Sequence, residues 1–307
     1  MKLAFLYAGQ GAQHAGMGRD LYETYPAFRA VLDAAEVKFD LKGLCFDGPE
    51  DLLGQTQYTQ PCMVAFAAGL TAVLYEKGIR PDYAAGLSLG EYSALHAAGV
   101  FDARTAVSLV AFRGQAMAEA VKDRPSGMAA VLLLGREELQ RCCDAASGLG
   151  VVEIANYNCP GQLVIAGDAL AVERAGALAK EAGAKRVLPL KVSGPFHTSL
   201  MAPAGEALRE RFRGVDFGPM AFPVLFNCKG GPMEPGETIP DLLVRQVQSS
   251  VYLEDIIRYL EAQGVDTVVE IGPGKALSGF VKKTAKTIRC HAVETVEDVE
   301  GLAGALG

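Results

Sequence analysis

The sequence predicts an α/β protein: a parallel sheet covered by helices on both faces, interrupted once by a small unit of its own. Three observations predict it. Short apolar runs closed by glycine-rich turns lie near both ends, at Lys2–Ala8 and Thr267–Ile271, as buried parallel strands should. Around them run stretches with small and apolar residues at helical spacing, and strands that alternate with helices imply a parallel sheet. In the middle, six elements follow in the order β-α-β-β-α-β, which simple alternation does not produce.

Taken in order, Lys2–Ala8 ends on Gly9-Gln10-Gly11. Pro61 to Glu76 reads as a helix with Pro61 in its first turn, where the missing N–H has no intrahelical partner to lose. Tyr83-Ala84-Ala85-Gly86 leads abruptly into Ser88 and a helix to about Ala98. Asp102 is placed to cap a helix through about Val121. After Arg124-Pro125-Ser126-Gly127 come a strand at 128–134 and a helix at 136–146. Strands at 150–156 and 162–166 follow, separated by a turn at Asn158-Cys159-Pro160-Gly161. A helix at 169–182 and a strand at 185–190 complete the split βαβ pattern of a ferredoxin-like unit. The expected organisation is therefore a small domain, 126–195, inserted into a larger one made of 1–125 and 196–307.

Composition narrows the function. Half of the 307 residues are hydrophobic and 21% are charged, as in a globular chain with a sizeable core. The net charge of −7 argues against a sequence-nonspecific grip on nucleic acid, which needs a basic face. Only six apolar or aromatic residues follow Met1-Lys2 before Gly9, too few for a secretory signal. No 18-residue apolar run offers a membrane span. The seven cysteines (45, 62, 142, 143, 159, 228 and 290) show no CxxC spacing, which points to reduced thiols in the cytoplasm. No two histidines stand at ligand spacing, so no metal set is expected.

Gly86-Leu87-Ser88-Leu89-Gly90 fits G-x-S-x-G where a strand turns straight into a helix. A serine on such a turn projects its hydroxyl from the sheet, and side chains in place of the glycines would collide with neighbouring backbone. The helix start supplies N–H groups and a positive dipole end for a developing oxyanion. This elbow makes the larger domain α/β-hydrolase-like. A serine nucleophile needs a base, and four histidines are available: His14, His96, His197 and His291. His96 lies two turns down the helix that starts at Ser88. His14 follows the first glycine turn, and His291 has no supporting pattern. His197, in Ser193-Gly194-Pro195-Phe196-His197-Thr198, lies where the insertion rejoins the main domain, and loops at such junctions line clefts. Arg113 stands inside a small and apolar helix; there it either snorkels to the surface or holds a buried anion.

Together these residues resemble the malonyl-CoA:acyl-carrier-protein transacylase family, which includes the acyltransferase domains of polyketide and fatty-acid synthases. Gly9 to Gln13 is similar to the family's GQGxQ, Gly86 to Tyr92 to GHSLGEY, and Arg113-Gly114 with Met117 to its arginine helix. Asn156-Tyr157-Asn158 with Gln162 resembles ANxNxPxQ, Phe196-His197 the FHS, Gln246 the late glutamine, and Glu270 to Lys275 the EIGPGK. The resemblance implies Ser88 as nucleophile, His197 as base and Gln246 as the group orienting its imidazole. It implies an oxyanion hole from the N–H groups of Gln10 and Leu89, and substrate contacts from Arg113, Met117, Phe196 and Asn158. Arg113 would clamp the malonate carboxylate through a two-pronged charge-assisted pair. Phe196 beside His197 is the version associated with unbranched malonyl groups.

It further implies malonyl-CoA and holo acyl carrier protein as substrates, no bound cofactor and a monomer. The pathway is expected to be fatty-acid biosynthesis, with a free-standing polyketide acyltransferase or a thioester hydrolase on the same serine as alternatives. The family's usual histidine before the nucleophile is Leu87 here, Thr198 replaces a serine, and Ser249-Ser250 stands where a proline is frequent. Gly272-Pro273-Gly274-Lys275 lacks the spacing of a P-loop, and Gly9-Gln10-Gly11 lacks the third glycine of a dinucleotide fingerprint; both read as strand-end turns. Lys185, Arg186, Lys191, Lys282, Lys283, Lys286 and Arg289 could receive an acidic carrier or simply be solvated.

Overall fold

A computed structural model describes residues 1–306. Its strands are β1 (Leu3–Tyr7), β2 (Tyr83–Gly86), β3 (Ser126–Leu132), β4 (Val152–Cys159), β5 (Gln162–Asp168), β6 (Arg186–Pro189), β7 (Leu225–Phe226), β8 (Gly231–Pro232), β9 (Thr267–Ile271) and β10 (Arg289–Val293). They belong to two units. The first comprises Met1–Gln115, Asp216–Leu225 and the segment from Ile257 onward; the second comprises Ala116–Val215 and Phe226–Ile256. The expected insertion, 126–195, lies within the second unit, which also takes in residues outside that range.

In the first unit, β10-β9-β1-β2 form a sheet that is parallel throughout, with Phe5 opposite Ala84 on one side and Val269 on the other. β1 and β9 are buried along their whole length. They show no polar–apolar alternation because both faces are covered. Burying each of Val268, Val269 and Ile271 contributes about 1.5–3 kcal/mol before the entropy of ordering is counted. Past β2, the Ala84 N–H donates to the Pro223 carbonyl at 3.0 Å.

The helix Thr56–Glu76 is buried continuously from Thr59 to Thr71, as suits a helix that is apolar or small all round. It starts five residues earlier than expected. Pro61 therefore lies inside it, not in its first turn, and the Gln57 carbonyl loses its usual N–H donor four residues on. Asp102 caps its helix as expected, accepting from the Thr105 N–H at 2.7 Å.

In the second unit, β4-β5-β3-β6 form an antiparallel sheet. Val131, Ile154 and Ile165 from its strands share a core with Leu139 and Ala175 from the helices Arg136–Ala146 and Ala169–Glu181. The sheet continues beyond β4 through Val251, which donates to Ala155 and accepts from Tyr157, both at 2.8 Å. The expected four-residue turn after the third element is shorter. β4 runs to Cys159, and Pro160-Gly161 suffices because Gly161 takes a φ of 74°.

Glu270, the acid of the EIGPGK segment, explains that segment's shape. It is buried at the end of β9, and its two oxygens accept the Leu277 and Ser278 N–H groups at 2.9 and 2.7 Å. It thus caps the helix Ala276–Thr284, satisfying donors that have no partner inside the helix. Glu270→Ala is expected to lower unfolding stability by about 2 kcal/mol, read as a lower urea midpoint at unchanged slope. An unchanged midpoint would show that water replaces the cap.

Candidate active site

Ser88 occupies the turn between β2 and the helix Gly90–Ala97, with a left-handed φ of 55°. That conformation costs a side-chain-bearing residue on the order of 1–3 kcal/mol and is held by its surroundings. The Leu87 N–H donates to the Tyr7 carbonyl at 3.0 Å, and the Gly90 and Glu91 N–H groups donate back to Leu87 and Ser88 at 3.0 and 3.1 Å. A Cβ on Gly86 would overlap the Gly90 carbonyl carbon, and one on Gly90 would overlap the Tyr7 carbonyl oxygen. Both glycines are therefore steric requirements of the elbow. Leu89 directly precedes the helix, so its N–H belongs to the open first turn.

The loop after β1 packs against this elbow. A Cβ on Gly9 would stand 2.7 Å from the Leu87 carbonyl oxygen and 3.1 Å from its side chain, which places Leu87 as packing against the loop. Next to it, Gln10 is tethered by its Nε2, which donates to Thr56 Oγ1 at 3.0 Å.

Arg113 is fully buried, so the snorkelling alternative is overturned. It lies on the helix Ala103–Ala120, beside Gly114. A Cβ on Gly114 would come within 2.8 Å of the Thr56 carbonyl oxygen and 2.9 Å of Gln57 Cα. That glycine lets this helix approach Thr56–Glu76 closely enough for Arg113 Nη1 to donate to Gln60 Oε1 at 3.0 Å. Arg113 Nη2 donates to Ser88 Oγ at 3.1 Å, and the guanidinium lies 5.6 Å from the Tyr92 ring centre. Burial pulls its pKa down, while Tyr92 and Glu91 oppose the shift; an arginine keeps its charge under such opposition.

Sequence reasoning missed Gln60 and Tyr92. Gln60 lies in the polar opening of its helix, Thr56-Gln57-Tyr58-Thr59-Gln60, just before the run expected to be helical, so nothing in the sequence marks it as buried and in need of a partner.

In the second unit, His197 is buried and also holds a left-handed φ, 62°. Its Nδ1 lies 2.9 Å from the main-chain carbonyl oxygen of Gln246. A carbonyl only accepts, so Nδ1 carries the hydrogen, and in the neutral ring Nε2 is then the acceptor nitrogen. The orienting contact thus comes from the backbone of Gln246, and its side chain is also buried. Thr198 Oγ1 donates to the Pro195 carbonyl at 2.7 Å, bracing the turn. Phe196 is buried beside His197, Met117 is buried one turn after Arg113 on its helix, and Asn158 is buried near the end of β4 with its Oδ1 lacking a hydrogen-bond partner.

Two of the other histidines are engaged elsewhere. His96 Nδ1 bonds the Phe101 carbonyl at 3.0 Å, and burial lowers its pKa. His14 pairs with Glu294. The structure thus gathers Ser88, Leu89, Gln10 and Arg113 in one unit, and His197, Gln246 and Phe196 in the other. A hydroxyl on a strained elbow beside open N–H groups and a buried cation is equipped to take up an acyl group bearing an anion.

Comparisons with known proteins agree with this chemistry. The malonyl CoA-acyl carrier protein transacylase of Bacillus subtilis (strain 168) is 44% identical over 302 residues, covering 97% of this chain and 95% of that one. The crystal structure of MCAT from Streptococcus pneumoniae superposes with a TM-score of 0.94 at 47% identity, covering 99% of this chain and 100% of that one. A malonyl-transacylase solved in complex with its type II PKS acyl-carrier protein superposes at 0.96 with 38% identity, covering 99% and 100%. The family profile described as acyl transferase domain matches residues 4–304. With its elbow serine and buried arginine inside a match that spans nearly the whole sequence, the chain belongs to the acyl transferase domain family.

Proposed function

We propose that this protein transfers a malonyl group from malonyl-CoA to the phosphopantetheine thiol of acyl carrier protein, through an ester on Ser88. The observation that carries the reading is the buried Arg113 guanidinium, 3.1 Å from Ser88 Oγ. An uncharged acyl group gives no use for a desolvated cation at that place, whereas the free carboxylate of malonate is its charge-assisted partner.

Ser88 Oγ attacks the thioester carbonyl and yields its proton to His197 Nε2. The N–H groups of Gln10 and Leu89 hold the oxyanion, and the coenzyme A thiol leaves with the proton. The carrier thiol then attacks the Ser88 ester, gives its proton to His197, and departs as malonyl thioester while Oγ is reprotonated. Exchanging one thioester for another through an oxyester is near thermoneutral overall and runs in two half-reactions. Met117, Phe196 and Asn158 line the acyl group in this reading, with Phe196 favouring unbranched substrates. Acyl carrier protein is the partner, and fatty-acid biosynthesis is the pathway.

The same reading takes the antiparallel sheet as a ferredoxin-like domain, 126–195, inserted in an α/β-hydrolase-like one. Support comes from the strand order: numbered within the unit, β4-β5-β3-β6 is 2-3-1-4. It also takes the protein as a cytoplasmic monomer without a bound cofactor. All seven cysteines are free thiols, as a reducing compartment would keep them.

Intact-protein mass spectrometry after brief exposure to malonyl-CoA, then holo acyl carrier protein, tests the reading. A malonyl adduct on Ser88, absent from Ser88→Ala and moving to the carrier, is expected. An adduct that decays to free malonate regardless of carrier would identify a hydrolase and overturn it.

A further inference from the structure

The loop between β1 and the helix Arg19–Thr24 holds a histidine bound at both ends. His14 Nδ1 lies 3.0 Å from the Ala15 carbonyl oxygen, and His14 Nε2 makes a short contact with Glu294 Oε1. A carbonyl and an ionised carboxylate both accept only, so both ring nitrogens must carry hydrogen. The geometry specifies an imidazolium.

Glu294 follows β10 directly, and its other oxygen accepts the Gly274 N–H at 2.9 Å. The Glu294 N–H in turn donates to Asp298 Oδ2 at 3.0 Å. One carboxylate therefore ties the loop after β1 to the turn after β9. These loops leave the carboxyl ends of neighbouring parallel strands, where ligands of such sheets bind. Gln10 lies four residues before His14 in the tied loop. Between them, the Gly11 N–H donates to Gln13 Oε1 at 2.7 Å, and beyond them the Gly16 N–H donates to the Cys45 carbonyl at 2.9 Å.

We propose that His14, as an imidazolium clasped by Glu294, is a positioning residue that fixes the loop carrying the Gln10 N–H for acyl transfer. The inference rests on Gln10 serving as an oxyanion donor. The charged groups facing His14 are Glu294 and Glu50, both acidic; together with the Ala15 carbonyl, the largest influence, they raise its pKa against the effect of burial. A histidine raised on folding gives its full contribution below its unfolded pKa of about 6.5 and loses it as pH rises through the higher folded value. The clasp therefore closes on the acid side and opens on the alkaline side.

An NMR titration of the whole protein tests this, following the His14 ring and the Gln10 and Gly274 amides. His14 should titrate above 6.5, and both amides should shift with its midpoint. Glu294→Gln should lower that midpoint, and His14→Gln should remove the phase. In parallel, the ratio of wild-type to His14→Gln rates of Ser88 acylation should be about tenfold at pH 6 and approach one above the His14 midpoint. A ratio independent of pH would mean a merely structural residue and overturn the proposal, as would a Gln10 amide indifferent to His14. A Gln10 amide that tracks His14 while acylation does not respond also overturns it, and locates the failure in the role given to Gln10.

Discussion

Arg113→Ala is expected to lower kcat/KM for malonyl transfer about 100- to 1000-fold while leaving acetyl transfer within about threefold. The guanidinium sits fully buried beside Ser88 Oγ, held by Gln60 and facing Tyr92. Malonyl and acetyl esters present the same carbonyl to the elbow and differ only in the distal carboxylate. Removing the cation leaves that carboxylate desolvated and unpaired, and the acetyl ester loses nothing equivalent. Arg113→Lys should fall between, since an ammonium keeps the charge without the two-pronged fork. Rates with both acyl-CoA substrates decide the matter, with thermal melts confirming that each variant is folded. Equal losses for malonyl and acetyl would mean that Arg113 acts on the Ser88 hydroxyl or on local packing, and the carboxylate assignment would fail.

The burial that gives Arg113 this leverage marks the border between what the sequence discloses and what it does not. β9 was legible because Thr267–Ile271 is a β-branched run that must be buried on both faces. The elbow was legible because Gly86 and Gly90 are steric necessities that only glycine meets. By contrast, Arg113 in an apolar helix is compatible with two opposite fates. Gly114 decides between them by closing the gap to Gln57, a contact between segments some 57 positions apart. Pro61 misled for a related reason. Its fixed φ suits a first turn, but the helix is held from Thr56 by burial, and packing overrides the local preference. β10 escaped notice because Arg289-Cys290-His291 lies on an edge strand, partly exposed, with neither the continuous apolar run nor the alternation that reveals a strand.

At the late glutamine the main chain contacts the imidazole, and this sets up a contrast. His197→Ala is expected to slow Ser88 acylation by about 1000- to 10,000-fold, whereas Gln246→Ala should slow it less than about tenfold. The atom that fixes the imidazole is the Gln246 carbonyl oxygen, 2.9 Å from His197 Nδ1, and every residue at that position supplies it. An amide side chain looks like the natural substitute for a triad carboxylate. Here the backbone selects the tautomer that leaves Nε2 to accept the proton. The left-handed turn at His197 and the Thr198 brace on Pro195 also support that orientation. Because Gln246 is itself buried, its truncation should reduce stability measurably, so acylation is best compared well below the melting temperature. Equal losses for the two variants would assign the orienting role to the glutamine amide after all.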